Sequence, residues 1–203
     1  MFNRLALIGC GLMGGSLALA MQRARLVRHI VAYSPNPQTL QQAQDMGVIH
    51  AATNCPADAV AQADLVVVAV PVAASEKVFL AIADSLSEHA IVTDVGSTKQ
   101  NVIEAAETAF GPRIGQFVPA HPIAGKEVAG IAYADADLYR GKQVILTPTR
   151  STRIGALQQI TALWEALGCK VQTMTPQAHD AAFAAVSHLP HLTAFALMHS
   201  ILH

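Results

Sequence analysis

The sequence predicts an α/β fold built on a doubly wound, mostly parallel sheet. Short apolar runs suited to buried strands recur along the chain, and helix-forming stretches such as 36–47 and 152–168 separate most of them. The strand predictions cover residues 4–9, 29–34, 63–71, 89–97, 115–122, 141–148 and 168–176. Strands that alternate with helices form parallel βαβ units, and such units associate into an open sheet with helices on both faces.

The composition indicates a folded domain without a nucleic-acid partner. The chain has 203 residues, 52% hydrophobic and 13% charged, enough for one core or for one domain and part of a second. Its net charge is −1, and no run of Lys or Arg forms a stripe for phosphates. Cys10, Cys55 and Cys169 lie far apart without a C-x-x-C pair, which argues against a disulfide framework or a structural zinc site. We therefore expect a protein of the reducing cytoplasm.

The apolar segment 5–21 superficially resembles an export or membrane signal. Only residues 5–9 separate the charge of Arg4 from Cys10, fewer than the roughly 7 to 15 residues of a signal-peptide core. Glycines interrupt the segment, which also falls short of the ~20 residues of a spanning helix. A buried strand followed by a helix explains these residues better, so we expect no membrane association.

A glycine pattern at the end of the first predicted strand indicates a dinucleotide site. Gly9, Gly11 and Gly14 form G-x-G-x-x-G between that strand and the following helix. In this pattern the first glycine allows a tight turn, the second lets the backbone approach a pyrophosphate, and the third lets helix and strand pack closely. The phosphates then lie at the positive helix N-terminus, beside Leu12 and Met13. The sequence therefore predicts a Rossmann-type dinucleotide-binding domain.

Two later positions extend the predicted cofactor site. Val70 and Pro71 form an apolar turn after the strand 63–71 and are expected to lie against the cofactor. Ser34 ends the second strand, where an NAD site usually carries Asp or Glu for the ribose hydroxyls. Without that carboxylate a 2′-phosphate is not repelled, which favours NADP, but no arginine stands beside Ser34 to pair with the phosphate. NADP is therefore the preferred expectation and NAD the alternative.

A hydroxyl and an imidazole follow two neighbouring strands. Ser97 lies in a polar cluster around Gly96, and His121 directly precedes Pro122. Because ligands bind at the carboxyl ends of parallel strands, both side chains are expected near the nicotinamide, where they would form an acid/base pair. A hydrogen-bonded structural histidine is the alternative interpretation of His121.

Four motifs in this order resemble those of the prephenate and arogenate dehydrogenases of tyrosine biosynthesis. They are GCGLMGGSLA at residues 9–18, DVGSTK at 94–99, AHPIAGKE at 120–127 and SHLPH at 187–191. The first is shared with many dehydrogenases, and the last two carry most of the discrimination. The resemblance covers essentially the whole chain.

The resemblance implies an oxidoreductase that oxidatively decarboxylates prephenate or arogenate. Hydride passes from the hydroxyl-bearing carbon of a cyclohexadienyl ring to the nicotinamide, and CO2 leaves as the ring becomes aromatic. By resemblance His121 accepts the hydroxyl proton or hydrogen bond and Ser97 orients the hydroxyl. His188 and His191 would line the substrate and nicotinamide pocket, and Lys126 its rim, with a solvated ion pair as the alternative for Lys126.

The pair His188 and His191 also has interpretations that do not depend on the resemblance. The two residues share one helical face, and Pro190 between them predicts a kink. An ordinary distorted core helix would explain the pattern. A metal site would need a third ligand, and none stands at motif spacing, so we expect no metal.

The chain becomes alanine-rich and helical after Pro176, without another strand. This change predicts a dinucleotide-binding domain over residues 1–174 and a helical segment over 175–203, which the resemblance implies is the first helix of an all-helical C-terminal domain. The resemblance implies that this domain continues, supplies a substrate-binding arginine and forms most of a homodimer interface. We therefore expect a fragment of a longer protein, with pairing through the exposed helix as the alternative.

Two other functions stay open at this stage. One is a different small-molecule dehydrogenase of related fold, of the β-hydroxyacid or pyrroline-carboxylate reductase kind, which would need catalytic residues that the sequence does not show. The other is a non-catalytic dinucleotide-sensing module, which would have no need for the set formed by Ser97, His121, His188 and His191.

Overall fold

A six-stranded parallel sheet organises the fold in a computed structural model that describes residues 1–184. Its strands are β1 (Phe2–Ile8), β2 (Val27–Tyr33), β3 (Ala51–Thr53), β4 (Leu65–Val68), β5 (Ile91–Asp94) and β6 (Phe117–Val118). They lie in the order β3-β2-β1-β4-β5-β6, and every neighbouring pair is parallel. The prediction of a doubly wound parallel sheet is confirmed. The short β3 was missed, since three residues are too few to show a strand pattern.

Helices make the crossovers that parallel strands require. Between consecutive strands lie α1 (Leu12–Arg23), α2 (Pro37–Asp45), α3 (Pro56–Val60), α4 (Ser75–Ile82) and α5 (Gln100–Phe110), and later come α6 (Ile154–Ala166) and α7 (Pro176–Phe183). Local sequence explains where some of them begin. Asn36 caps α2 and Thr175 caps α7 through side-chain hydrogen bonds, and a proline follows each cap at the first helical position.

The central strand β1 is buried on both faces of the sheet. Leu5 and Leu7 join a core with α1, α2 and α6, whereas Ala6 and Ile8 join a second core with α3, α4 and α5. This alternation explains why the N-terminal segment is continuously apolar, since both sets of side chains are covered. Within residues 1–184 no helix is long and apolar enough to cross a bilayer.

A second sheet departs from the sequence prediction. It contains β7 (Ala120–Pro122), β8 (Gln143–Leu146) and β9 (Lys170–Thr173), with β7 antiparallel to β8 and β8 parallel to β9. The predicted strand 115–122 divides at Pro119, which has no N–H for a strand ladder. His121 therefore pairs with Ile145 within an antiparallel ladder, and the expectation that it lies at the end of a single parallel strand over 115–122 is wrong, since the parallel strand β6 ends at Val118.

The strand order determines where a ligand can bind. From β1 the chain continues to β2 and β3 on one side of the sheet, and then returns to β4 on the other side. The carboxyl ends of β1 and β4 therefore flank a crevice at a topological switch point.

The domain boundary predicted between residues 174 and 175 stays a prediction. Thr175 does separate β9 from α7, but most of the segment 175–203 lies outside the described residues.

Phe79 in α4 provides a test of the second core. Its ring is fully buried and lies at 5.2 Å and 5.3 Å, centroid to centroid, from the rings of Phe110 and Phe117. We expect Phe79→Ala to lower the free energy of unfolding by about 3 to 5 kcal/mol, because it leaves a cavity. Urea denaturation measures this change. The matched control is Leu80→Ala, at a side chain that is 53% exposed, with an expected effect within about 0.5 kcal/mol. Equal losses in the two variants would contradict the packing.

Candidate functional site

The glycine loop between β1 and α1 has the geometry that its sequence pattern predicts. Gly9 has a φ angle of +97°, and a Cβ at this position would collide with the carbonyl oxygen of Ala69. A Cβ on Gly14 would collide with the carbonyl oxygen of Gly9, so this glycine lets α1 pack closely on β1. A Cβ on Gly11 would meet no atom within 4 Å. The loop therefore combines a tight turn, close packing and an open approach for a ligand.

The start of α1 can receive an anionic group. Gly11 is the N-cap residue, no side chain caps the first N–H groups, and no acidic residue lies in the first turn. Leu12 is buried in the core, and Met13 lines a cavity next to the loop. Uncapped N–H groups at the positive end of a helix are suited to the pyrophosphate of a dinucleotide.

A cavity of about 490 Å³ opens at the carboxyl ends of β1, β2 and β4. Its lining includes Gly9 and Gly11 of the glycine loop, Ser34 after β2, and Val70 and Pro71 after β4. The structure therefore brings together five positions that the sequence analysis assigned to the cofactor. We refer to this space as the nucleotide cavity.

The lining of the nucleotide cavity also contains polar residues that the sequence analysis missed. Thr39 of α2 and Lys77 of α4 contribute to the lining together with Ser34. Among the described residues that line the cavity, Lys77 is the only charged one, and no carboxylate is present. Because Lys77 lies on a separate helix, no motif spacing connects it with Ser34.

A second cavity of about 350 Å³, here called the histidine cavity, adjoins the first. The two share Val70 and Pro71, and the histidine cavity is also lined by Met13, Ser97 and His121. Ser97 is exposed and His121 is half-buried. The fold therefore brings the predicted hydroxyl and imidazole to one space beside the predicted cofactor turn.

A buried ion pair supports the histidine cavity. Lys99 Nζ lies 2.5 Å from Asp94 Oδ2, and these side chains are 0% and 3% exposed. Lys99 also donates to the Ala120 carbonyl at 2.7 Å, and Asp94 accepts from the N–H groups of Ala120 at 3.0 Å and Gly96 at 2.8 Å. Burial lowers the pKa of Lys99, and the Asp94 carboxylate opposes this shift. The pair connects β5 with β7. Ser97 directly follows Gly96 and His121 directly follows Ala120, so the ion pair holds the backbone next to both cavity residues.

His121 makes a hydrogen bond to a second histidine that the sequence analysis did not select. Its Nδ1 lies 2.8 Å from Nε2 of His179 in α7. Nδ1 of His179 lies 2.7 Å from Oδ1 of Asp180, which also accepts from the N–H groups of Lys99 and Gln100 at the start of α5. The adjacent His179 and Asp180 in the helix after the last strand were the available signal, but they stand in an alanine-rich stretch typical of an ordinary helix.

The structure does not test the predicted roles of three other residues. Lys126 forms a half-exposed ion pair with Asp135 at 2.9 Å and lines neither cavity, so its contact with substrate stays a prediction. His188 and His191 lie outside the described residues, and their roles also stay predictions. Within residues 1–184 no three His, Cys, Asp or Glu side chains cluster as metal ligands.

The glycine loop, the switch-point crevice and the nucleotide cavity define a dinucleotide-binding domain of the kind that serves NAD(P)-dependent oxidoreductases. Comparison with known families identifies the particular family. Residues 17–173 match the family described as "Prephenate dehydrogenase, nucleotide-binding domain", and the chain belongs to the prephenate dehydrogenase family.

Solved and curated relatives agree with this assignment. The chain is similar to prephenate dehydrogenase from Aquifex aeolicus, crystallised with hydroxyphenyl propionate and NAD+, with a TM-score of 0.93, 37% identity and coverage of 100% of this chain and 70% of that one. Synechocystis arogenate dehydrogenase gives a TM-score of 0.86 and 29% identity over 97% of this chain and 68% of that one. Prephenate dehydrogenase of Bacillus subtilis is 33% identical over 100% of this chain and 55% of its own length. The chain thus spans about half the length of this curated relative.

The distinct roles of two loop glycines can be tested by adding one methyl group to each. Gly11→Ala places a Cβ in open space at a negative φ, so we expect unchanged stability but dinucleotide binding weakened at least about tenfold, or 1.4 kcal/mol. Gly14→Ala forces a Cβ onto the Gly9 carbonyl, and we expect it to lower the free energy of unfolding by about 1 to 3 kcal/mol. Thermal unfolding and calorimetric titration with NAD and NADP separate the two effects. Normal dinucleotide affinity in Gly11→Ala would place the pyrophosphate elsewhere.

Proposed function

We propose that the whole protein is an oxidoreductase of tyrosine biosynthesis that oxidatively decarboxylates prephenate or arogenate, with hydride transfer to NAD(P). The observation that carries the proposal is the junction of the two cavities at Val70 and Pro71. A dinucleotide in the nucleotide cavity and a substrate in the histidine cavity would meet at this turn. Ser97 and His121 lie on the substrate side of it.

His121 is the candidate general base. As the substrate carbinol becomes a carbonyl, the hydroxyl proton passes to the imidazole while the C–H electron pair leaves as hydride. Ser97 lines the same cavity and would orient the hydroxyl. NAD(P), when bound, supplies the hydride acceptor. Loss of CO2 then makes the ring aromatic, so the residues mainly need to polarise the hydroxyl and align the substrate.

The general-base role makes a prediction for His121→Asn. We expect turnover to fall about 10²- to 10⁴-fold, the usual contribution of general-base assistance, with the affinity for NAD(P) nearly unchanged. Steady-state kinetics of the whole protein and a cofactor titration measure the two quantities. The matched control is His89→Asn, at an exposed histidine outside both cavities, with normal turnover expected. Near-normal turnover in His121→Asn would remove His121 from the mechanism.

We further propose that NADP is the preferred cofactor and NAD the alternative. Ser34 replaces the usual carboxylate, so a 2′-phosphate meets no repulsion at the end of β2. Lys77 lines the same cavity and supports the proposal with its positive charge. The hydroxyl groups of Ser34 and Thr39 in this lining can donate hydrogen bonds to a phosphate. The A. aeolicus relative was crystallised with NAD+, so NAD is the cofactor to compare.

Two charge changes test the cofactor preference. Ser34→Asp should shift the ratio of NADP to NAD affinity toward NAD by at least about tenfold, because a carboxylate repels the 2′-phosphate. Lys77→Gln should weaken NADP binding and leave NAD binding unchanged. Lys142→Gln, at an exposed lysine outside the nucleotide cavity, is the control and should change neither affinity. An unchanged ratio in Ser34→Asp would show that Ser34 does not lie beside the ribose.

The substrate and the assembly are part of the same proposal. One activity assay of the whole protein, with prephenate and arogenate each combined with NAD and NADP, identifies the substrate and the cofactor together. Binding of a dinucleotide with no turnover of either substrate would favour a dinucleotide-sensing module. We propose a cytoplasmic homodimer that forms through the helical C-terminal region, which sedimentation of the whole protein can test.

A further inference from the structure

Three side chains form a continuous hydrogen-bonded series that ends in the histidine cavity. His121 Nδ1 contacts His179 Nε2 at 2.8 Å, and His179 Nδ1 contacts Asp180 Oδ1 at 2.7 Å. The ring of Phe183 stacks on His179 with centroids 4.7 Å apart and meets His121 edge-on at 5.0 Å. His179 has no exposed surface. The two histidines therefore have a defined geometry, and the ring of Phe183 packs against both of them.

The hydrogen bonds determine which nitrogen of each ring carries the proton. Ionised Asp180 can only accept, so Nδ1 of His179 must donate and Nε2 of a neutral His179 must accept. Nδ1 of His121 is then the donor to that nitrogen. In neutral His121 the unprotonated nitrogen is consequently Nε2. This is the tautomer that a general base in the histidine cavity requires, with Nδ1 directed at the protein.

The charge states of His179 and Asp180 follow from their surroundings. Burial lowers the pKa of His179, and its hydrogen bond with Asp180 only partly opposes the shift, so His179 is neutral at neutral pH. Burial alone would raise the pKa of Asp180, but hydrogen bonds from Gln100, His179 and the Lys99 N–H outweigh it and lower the pKa. Asp180 is therefore ionised.

Within residues 1–184, the other charged groups that act on His179 are Asp94 and Lys99 of the buried ion pair. The Lys99 ammonium disfavours protonation of His179, and the Asp94 carboxylate favours it. Because these two charges oppose each other in their effect on His179, Asp180, which is bonded directly to His179, is the described carboxylate expected to dominate the histidine pair.

We propose that His179 and Asp180 are positioning residues that hold His121 in the tautomer with Nε2 unprotonated and stabilise His121 after it has accepted a proton. The proposal rests on the proposed function only for the identity of the proton donor, the substrate hydroxyl. The proposal gives α7 a role in the reaction besides packing. The imidazole that accepts the proton is that of His121 on β7, whereas the stabilising carboxylate of Asp180 is on α7.

A purely structural role of the same residues is the competing explanation. Asp180 accepts from the N–H groups of Lys99, the N-cap residue of α5, and of Gln100, its first residue, and so joins α7 to α5. Removing it would loosen this contact and lower activity without any effect on tautomers. Stability and turnover alone therefore cannot separate the two explanations, whereas a pH profile can.

The decisive variant is Asp180→Asn in the whole protein, which keeps the side-chain shape and removes the charge. We expect kcat to fall about 10- to 100-fold, within the range that general-base assistance supplies, with little change in KM. The acid limb of the kcat/KM profile should move to lower pH by about half a unit or more, because protonated His121 loses the stabilisation from the carboxylate. The control is Thr175→Ala, which removes the cap of α7 and should lower stability by about 1 kcal/mol without moving the limb.

Two substitutions at His179 test the positioning role independently of Asp180, because they predict a definite order of activities. In His179→Gln the side-chain oxygen can still accept from His121 Nδ1, so we expect partial activity. In His179→Leu the acceptor is lost, so turnover should fall close to that of His121→Asn. Equal activity of the two variants, or an unmoved acid limb in Asp180→Asn while His121→Asn stays inactive, would overturn the positioning role and leave the proposed function intact.

A measurement without turnover keeps the two proposals distinguishable. Ring ¹⁵N NMR shifts of the 203-residue chain should show His121 protonated at Nδ1 and unprotonated at Nε2 at neutral pH. The variant Asp180→Asn should titrate His121 at a lower pH than the wild type. His121 protonated at Nε2 would overturn the inference. If these NMR results appear but neither prephenate nor arogenate is turned over, the positioning role stands and the proposed function fails.

Discussion

The buried ion pair of Asp94 and Lys99 is the interaction on which the rest of the site depends. It lies where the parallel sheet ends and the second sheet begins, and both of its members also bond to the backbone of Ala120. Two charges in a protein interior are tolerated only when paired and hydrogen-bonded, and loss of one partner typically costs about 3 to 5 kcal/mol. The pair therefore couples the position of β7 to that of β5, and with it the position of His121.

The same region shows how the fold extends a site beyond one sheet. α5 has no cap from its own sequence, and Asp180 of α7 accepts from its first N–H groups instead. This carboxylate connects the final described helix to the start of α5. It also bonds to His179, which in turn bonds to His121. Under the proposed positioning role, stability and chemistry depend on the same atoms, so a substitution in α7 is expected to affect both.

Much of the architecture could be predicted because buried parallel strands have a clear composition. β1, β2, β4 and β5 are apolar runs covered on both faces, and each was found within a few residues of its bounds. The second sheet was not predicted, because the apolar run 115–122 gives no sign of the sheet to which each half belongs. Pro119 marks the division, but a proline alone does not show whether a strand ends, bends or changes sheets.

By itself the sequence determined the glycine loop, the strand pattern and the positions of Ser34, Val70 and Ser97 shortly after the ends of β2, β4 and β5. The glycine loop follows from local requirements that glycine meets, a positive φ at Gly9 and the absence of a Cβ at Gly14, and the strands follow from their continuous apolar composition. Only the tertiary structure decided that Lys77 lines the nucleotide cavity and that His179 and Asp180 bond in series with His121. The physical reason is that such contacts join helices and strands far apart in the chain, and their distances depend on how the elements pack rather than on any local spacing.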